Sequence, residues 1–238
     1  VYHDFGFDEL VVKFSTMPED HVGDLETWQR AEKALADACH EAGLEYELQP
    51  GEGAFYGPKL EFKLYDCIGR EWQCGTIQAD FQLPSAERLD ATYIGKDNQK
   101  HHPVMLHRAI LGSFERFLGI LIENFAGAFP TWLAFEQVAV VPVSTEFDDY
   151  AKKVNDLLVS HDIRSNVYLG DENMKAKIKN ISTEHRTPYI LVVGQNEKDS
   201  ETVTCRYRFS SKKPQETFKL DDFVKYVEDK INTHFVGI

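Results

Sequence analysis

Gln73-Cys74-Gly75-Thr76-Ile77-Gln78-Ala79-Asp80-Phe81 is the stretch from which the fold reads. Over 76–81 it alternates: Ile77, Ala79 and Phe81 face one way, and Thr76, Gln78 and Asp80 the other. That is the period of a strand packed on one side. The polar side is unusual, because it carries no lysine or arginine and neutral donors and acceptors dominate. Such groups hold a small polar substrate by several hydrogen bonds, and a site built to bond a hydroxyl strongly rejects an analogue lacking it. The plain alternative is an ordinary wet strand face. Gly75 marks a bulge or a close backbone approach.

Working outward, Lys59–Tyr65 alternates as well, with Leu60, Phe62 and Leu64 opposing Lys59, Glu61 and Lys63. Residues 7–14 form a further strand. Leu25, Trp28, Ala31, Leu35, Ala38 and Ala42 then recur at helical spacing until Gly43 stops them. A loop of breakers, Gly51, Gly53 and Gly57-Pro58, presents Tyr56 and Lys59 at the sheet edge. Lysine beside such a loop is a weak phosphate signal, and the P-loop spacing is missing. Leu106, Ile110, Phe114, Phe117 and Leu121 predict one long helix over 104–125. It would carry Arg108, Gly112, Arg116 and Gly119 on one face. Glycines there imply a close neighbour, either a packed sheet or a phosphate gripped by arginine. Adjacent strands followed by a helix predict an α+β unit with an antiparallel sheet.

Beyond Leu133 the pattern changes. A continuous apolar run at 137–143 reads as a buried strand. Helices at 147–161, 175–184 and 220–233 alternate with strands at 164–169, Tyr189–Val193 and 202–209. The fold class is therefore α/β, with an α+β part at 1–133 followed by a small α/β domain at 134–238 whose sheet is mostly parallel or mixed.

Composition bounds the function. The chain has 238 residues, 42% hydrophobic, enough for two domains. No run of about 18 apolar residues is present, so no membrane span is expected. The start, Val1-Tyr2-His3-Asp4, is neither a signal peptide nor an ordinary initiation site, and points to a fragment. Cys39, Cys67, Cys74 and Cys205 are scattered without a CxxC pair, as reduced thiols of a cytoplasmic protein would be. The net charge of -13 argues against non-specific nucleic-acid binding. It is uneven, netting -11 over 1–133 and -2 over 134–238, so a polyanion is repelled less by the second part.

Taken together, these stretches resemble a known family. GSFER at 112–116 looks like motif 3 of the class II aminoacyl-tRNA synthetases. The segments GEGAFYGPKLEF, LYDCIGREWQCGTIQADFQLP, YIGKDNQKHHPVMLHRAILGSFERF and FPTWLA resemble the threonyl-tRNA synthetases in order and spacing. PYILVVGQNE resembles their anticodon-binding domain. The resemblance implies threonine–tRNA ligation: ATP with Mg2+ activates threonine, which passes to tRNA(Thr) in a homodimeric enzyme. It implies threonine contacts at Tyr56 and Gln78, an active-site lysine at Lys59, and ATP contacts at Gln73, Thr76 and Ser113. Arg116 would be the motif 3 arginine on the ATP phosphates. Glu197, Arg206 and Arg208 would hold the anticodon, the two arginines sharing one face of a strand. His107 would be one of three protein ligands to Zn2+, which in this family binds the substrate amino and hydroxyl groups. Without the resemblance, His107 reads as a core histidine.

Two departures stand out. Motifs 1 and 2, and the other zinc ligands, are expected upstream of Val1, so the isolated chain is expected to be inactive. The basic, glycine-containing turn of the anticodon domain is replaced by Gly170-Asp171-Glu172-Asn173-Met174-Lys175. The rival readings are another class II synthetase (prolyl, histidyl or glycyl) and a non-catalytic tRNA- or partner-binding protein.

Overall fold

The computed structural model describes residues 1–208 and 215–237. Its packing divides into two compact units, Phe7–Leu121 and Val1–Gly6 with Ile122–Ile238.

The first unit is built on a five-stranded sheet. In chain order it contains β1 (Leu10–Ser15), α1 (Leu25–Glu41), β2 (Glu47–Gln49), β3 (Lys59–Tyr65) and β4 (Glu71–Asp80). A two-stranded hairpin follows, β5 (Tyr93–Ile94) with β6 (Lys100–His101), then β7 (Met105–Ala109) and α2 (Phe114–Asn124). The sheet order is β2-β1-β3-β4-β7. All pairings are antiparallel except β1 with β2, which is parallel. The sheet is therefore mixed at one edge rather than wholly antiparallel. Its apolar face, with Val12, Phe14 and Leu60, packs on Leu35 and Cys39 of α1. Asp24 caps α1 by accepting the Thr27 N–H at 2.8 Å. Trp28 is buried with its indole N–H donated to the Val22 carbonyl at 2.9 Å.

The predicted helix over 104–125 is a strand, a turn and a shorter helix. Pro103 and Val104 precede β7, and Gly112 at φ +68° breaks the chain before α2 begins. The spacing of four from Leu106 to Ile110 to Phe114 ran through a strand by coincidence. Arg108 and Gly112 consequently do not share a helical face with Arg116 and Gly119. A Cβ on Gly112 would stand 2.6 Å from the Cys74 carbonyl oxygen, whereas Gly119 has nothing within 4 Å. Only the first glycine marks a close approach.

The second unit has sheet order β12-β11-β10-β8-β9. Its elements are β8 (Val138–Pro142), α3 (Asp148–Ser160), β9 (Ser165–Val167), α4 (Met174–Asn180), β10 (Tyr189–Val193), α5 (Gln195–Ser200), β11 (Thr202–Tyr207), β12 (Glu216–Lys219) and α6 (Leu220–Asn232). β8 runs parallel to β9 and β10, and β11 and β12 are antiparallel additions. One face packs α3 and α6 through Val154, Leu158, Phe223 and Val227. The other packs Ala139, Val141 and Ile190 on Ile181 and Ile178. The helix predicted at 175–184 ends at Asn180 and passes into a π-helical turn, Ile181–His185, closed by Arg186 at φ +53°. α5 and β12 escaped the sequence reading. Each is short and has almost no apolar stripe. Residue 209, the last of the strand predicted over 202–209, lies outside the described residues.

Candidate active site

Register places a polar row across the first sheet. His107 on β7 stands opposite Gln78 on β4, Gln78 opposite Lys59 on β3, Lys59 opposite Ser15 on β1, and Ser15 opposite Gln49 on β2. Opposed residues share a face, and α1 covers the other one. A second row, Ala109, Thr76, Glu61, Lys13 and Glu47, lies alongside.

At the His107 end the groups interlock. The Tyr56 hydroxyl donates to Gln78 Oε1 at 2.6 Å, and the Tyr56 and His107 rings meet edge-on at 6.2 Å. Gly57 makes this possible: a Cβ there would fall 1.6 Å from the Ala79 carbonyl oxygen, so only glycine lets the Tyr56 loop lie on β4. His107 Nε2 lies 2.8 Å from Asp80 Oδ2. Burial pushes the Asp80 carboxyl up, but hydrogen bonds from the Leu83 N–H, His107 and the Gln82 N–H outweigh it and hold it below the usual carboxylate range. An ionised carboxylate only accepts, so Nε2 is the nitrogen that donates to it and Nδ1 is the one turned away from Asp80. A carboxylate behind an imidazole is the arrangement that orients a zinc-binding histidine. The donor set fits one ligand of a zinc site. Among the described residues, no three His, Cys, Asp or Glu side chains come together to complete one. His107, Tyr56, Asp80, Gln82 and Arg88 line a pocket of about 250 Å³.

Farther along the sheet, Lys59 Nζ pairs with the buried Glu61 at 2.7 Å, and the Thr76 hydroxyl donates to the Leu60 carbonyl at 3.1 Å. Ser113 caps α2, its Oγ accepting the Arg116 N–H at 3.3 Å. Arg116 Nη1 donates to the Gln73 carbonyl at 3.1 Å. The Arg116 guanidinium also lies 5.5 Å from the Trp72 ring centroid. The sequence reading missed Asp80 as a partner of His107, and it missed Arg88, Glu61 and Trp72. Asp80 and Glu61 were visible as polar positions of alternating strands, but only the register shows what they touch.

In the second unit, Val203, Cys205 and Tyr207 of β11 are buried and Thr202, Thr204 and Arg206 turn to the opposite face. Glu197 Oε2 accepts the Gly194 N–H at 2.9 Å and Oε1 accepts the Thr204 hydroxyl at 2.7 Å, bracing α5 against β11. With the Gln215 amide turned to present its oxygen, Arg206 Nε and Nη2 donate to it at 2.9 and 3.0 Å. Arg208 does not join it. The strand ends at Tyr207, and Arg208 turns inward to 4% exposure. It donates to the Arg186, Ala128 and Phe129 carbonyls. Burial lowers its pKa to about 10, so it stays charged at neutral pH as an internal brace rather than an anticodon contact. The turn at Gly170–Lys175 borders a pocket of about 470 Å³ at the carboxyl ends of β8 and β9, with Ser144, Thr145, Asp171, Glu172 and Asn173 in its lining.

Residues 1–125 match the family described as tRNA synthetase class II core domain (G, H, P, S and T), and residues 137–230 match the anticodon binding domain family. A threonine–tRNA ligase of Treponema pallidum (strain Nichols) is 52% identical over 235 residues, 98% of this chain and 39% of its own length. One of Wolbachia sp. subsp. Drosophila simulans (strain wRi) is 53% identical over 232 residues, 98% of this chain and 36% of its own. The crystal structure of the RNA binding domain of threonyl-tRNA synthetase from Cryptosporidium parvum Iowa II superposes with TM-score 0.88 at 37% identity, covering 96% of this chain and 56% of that one. Giardia lamblia prolyl-tRNA synthetase shares the fold at TM-score 0.60 and 15% identity, covering 75% of this chain and 41% of that one. The chain thus spans less than two-fifths of each of the two curated ligases, and what it carries of them is a five-stranded mixed sheet followed by a small α/β unit: it belongs to the class II tRNA synthetase core family, G, H, P, S and T branch, followed by an anticodon-binding domain.

Proposed function

We propose that the chain is part of a cytoplasmic, homodimeric threonine–tRNA ligase, with residues 1–133 contributing to the catalytic domain and 134–238 binding tRNA(Thr). The observation that carries this reading is the interlocked end of the polar row. There Tyr56, His107 and Asp80 line one pocket and Gln78 accepts the Tyr56 hydroxyl, in a chain about half identical to threonine–tRNA ligases along nearly its whole length.

Tyr56 and Gln78 would hold threonine by its polar groups. His107 would hold Zn2+ through Nδ1, with Asp80 fixing the ring, and the remaining protein ligands would lie elsewhere in the full-length enzyme. Bound zinc supplies a Lewis-acid contact for the amino and hydroxyl groups of threonine, which valine cannot satisfy fully. Gln73, Thr76 and Ser113 would line the ATP position, and Arg116 would offer its remaining N–H groups to the phosphates. Lys59, a member of the row paired with Glu61, would face the carboxylate–phosphate junction where the adenylate forms. ATP enters with Mg2+. Positioning of both substrates on one rigid sheet is the main catalytic device. Arg206 stands on the open face of β11, where a guanidinium can hydrogen-bond or stack on an unpaired base. Glu197 holds that face in shape.

The test is exchange of pyrophosphate into ATP by the full-length protein. Threonine should support it. Far better activation of serine or proline would sink the assignment, and no exchange with any amino acid would favour the non-catalytic tRNA-binding reading.

A further inference from the structure

Arg116 is exposed in the first turn of α2. A free arginine there would sample many rotamers. Instead its guanidinium is held twice, by the Gln73 carbonyl at 3.1 Å and by the Trp72 ring at 5.5 Å from the centroid. The second distance lies within cation–π range. Among the described residues, no carboxylate pairs with it. Arg70 also lies by this ring, at 5.4 Å, but Asp66 neutralises it at 2.6 Å.

The ring is itself fixed. The Asp66 side chain is fully buried and accepts four hydrogen bonds. These come from the Trp72 indole N–H at 2.8 Å, Arg70 Nε at 2.6 Å, and the backbone N–H groups of Arg70 at 2.8 Å and Ile68 at 3.1 Å. One carboxylate therefore closes the β3–β4 turn and locks the orientation of the indole. The chain of contact runs from Asp66 through Trp72 to Arg116 and ends in an unneutralised cation with donors to spare.

We propose that Trp72, oriented by Asp66, is a positioning residue that holds the Arg116 guanidinium ready for the anionic part of the nucleotide. The inference rests on the reading of this sheet as an ATP site. Its contribution is to immobilise Arg116 before ATP arrives, so that binding does not have to order the side chain. The ring face is the active feature, and the indole N–H to Asp66 holds that face in place.

The experiment is threonine-dependent pyrophosphate exchange by the full-length protein with ATP and threonine varied separately. Trp72→Leu should raise the ATP KM about three- to tenfold, the range of a partly exposed cation–π contact, with the threonine KM held within about twofold. Trp72→Phe, which keeps a ring but loses the N–H to Asp66, should fall between wild type and Trp72→Leu. Adding Trp72→Leu to Arg116→Ala should cost nothing further in ATP KM. Trp72→Met, which refills the volume without a ring, replaces Trp72→Leu should that variant not fold. An unchanged ATP KM in Trp72→Leu or Trp72→Met overturns the proposal. So does equal damage from Trp72→Phe, or a parallel rise in both KM values, since either would mark a purely structural tryptophan. Exchange absent in the wild type with every amino acid removes the ATP site itself, an outcome separate from failure of the variants.

Discussion

Gly112 sits against β4 so closely that a Cβ would lie 2.6 Å from the Cys74 carbonyl oxygen, and its φ of +68° is one that side chains resist. Gly112→Ala should destabilise the first unit by about 1–3 kcal/mol. Gly119→Ala, inside α2 with nothing within 4 Å, should be neutral or stabilise by up to about 1 kcal/mol. Urea midpoints of the two variants decide it. Equal effects would mean that the contact with Cys74 does not matter.

Asp66 makes the first unit acid-sensitive. Burial raises its carboxyl, but the Trp72 and Arg70 donors and the Ile68 N–H overcome this and hold it well below the usual carboxylate range. A depressed folded-state pKa adds stability that is complete above the unfolded value of about 3.9 and is lost as pH falls through the folded value. The stability gap between wild type and Asp66→Asn should therefore be widest near neutrality and narrow below about pH 4. Denaturation curves at neutral pH and on either side of that value would show it, and a gap independent of pH would contradict the account.

Arg206 and Arg208 should separate cleanly. Arg208→Ala leaves three carbonyls without their donor in a buried site and should cost about 3 kcal/mol or more. Arg206→Ala should change stability by no more than about 0.5 kcal/mol but raise the tRNA KM of the full-length protein and leave pyrophosphate exchange unchanged. A thermal melt beside the two assays checks both, and loss of exchange in a stably folded Arg206→Ala would count against a tRNA role.

Asp80→Asn tests the support behind His107. Losing the ionised acceptor should weaken zinc retention in the full-length protein about ten- to hundredfold, as read by elemental analysis after dialysis against a graded chelator. His107→Ala should lower zinc content further and leave ATP binding largely intact. Undiminished zinc in His107→Ala would make His107 an ordinary core residue.

What could be read from the chain followed from period. Alternation over 59–65 and 76–81 located the polar face, because a strand packed on one side must alternate. β7 stayed hidden because Leu106, Ile110 and Phe114 repeat every four residues across a strand, a left-handed glycine and a helix start. Arg208 misled because alternation only holds while the strand lasts, and β11 ends one residue earlier. Asp80 and Trp72 were in view as residues, but their importance lies in partners 27 and 44 positions away, and only register and helix placement disclose those.

The polar row is assembled from β7, β4, β3, β1 and β2, one residue from each. Its tolerance of length changes is therefore sharply uneven. Extra residues in the turn at 66–70, or in the excursion between β4 and β7, leave every strand in step. A single residue inserted between Lys59 and the β3–β4 turn, or within the paired part of β4 or β7, would rotate one member of the row to the α1 side. Surviving insertions among natural variants of this sheet should accordingly cluster in the connections between its strands, with its paired strands constant in length.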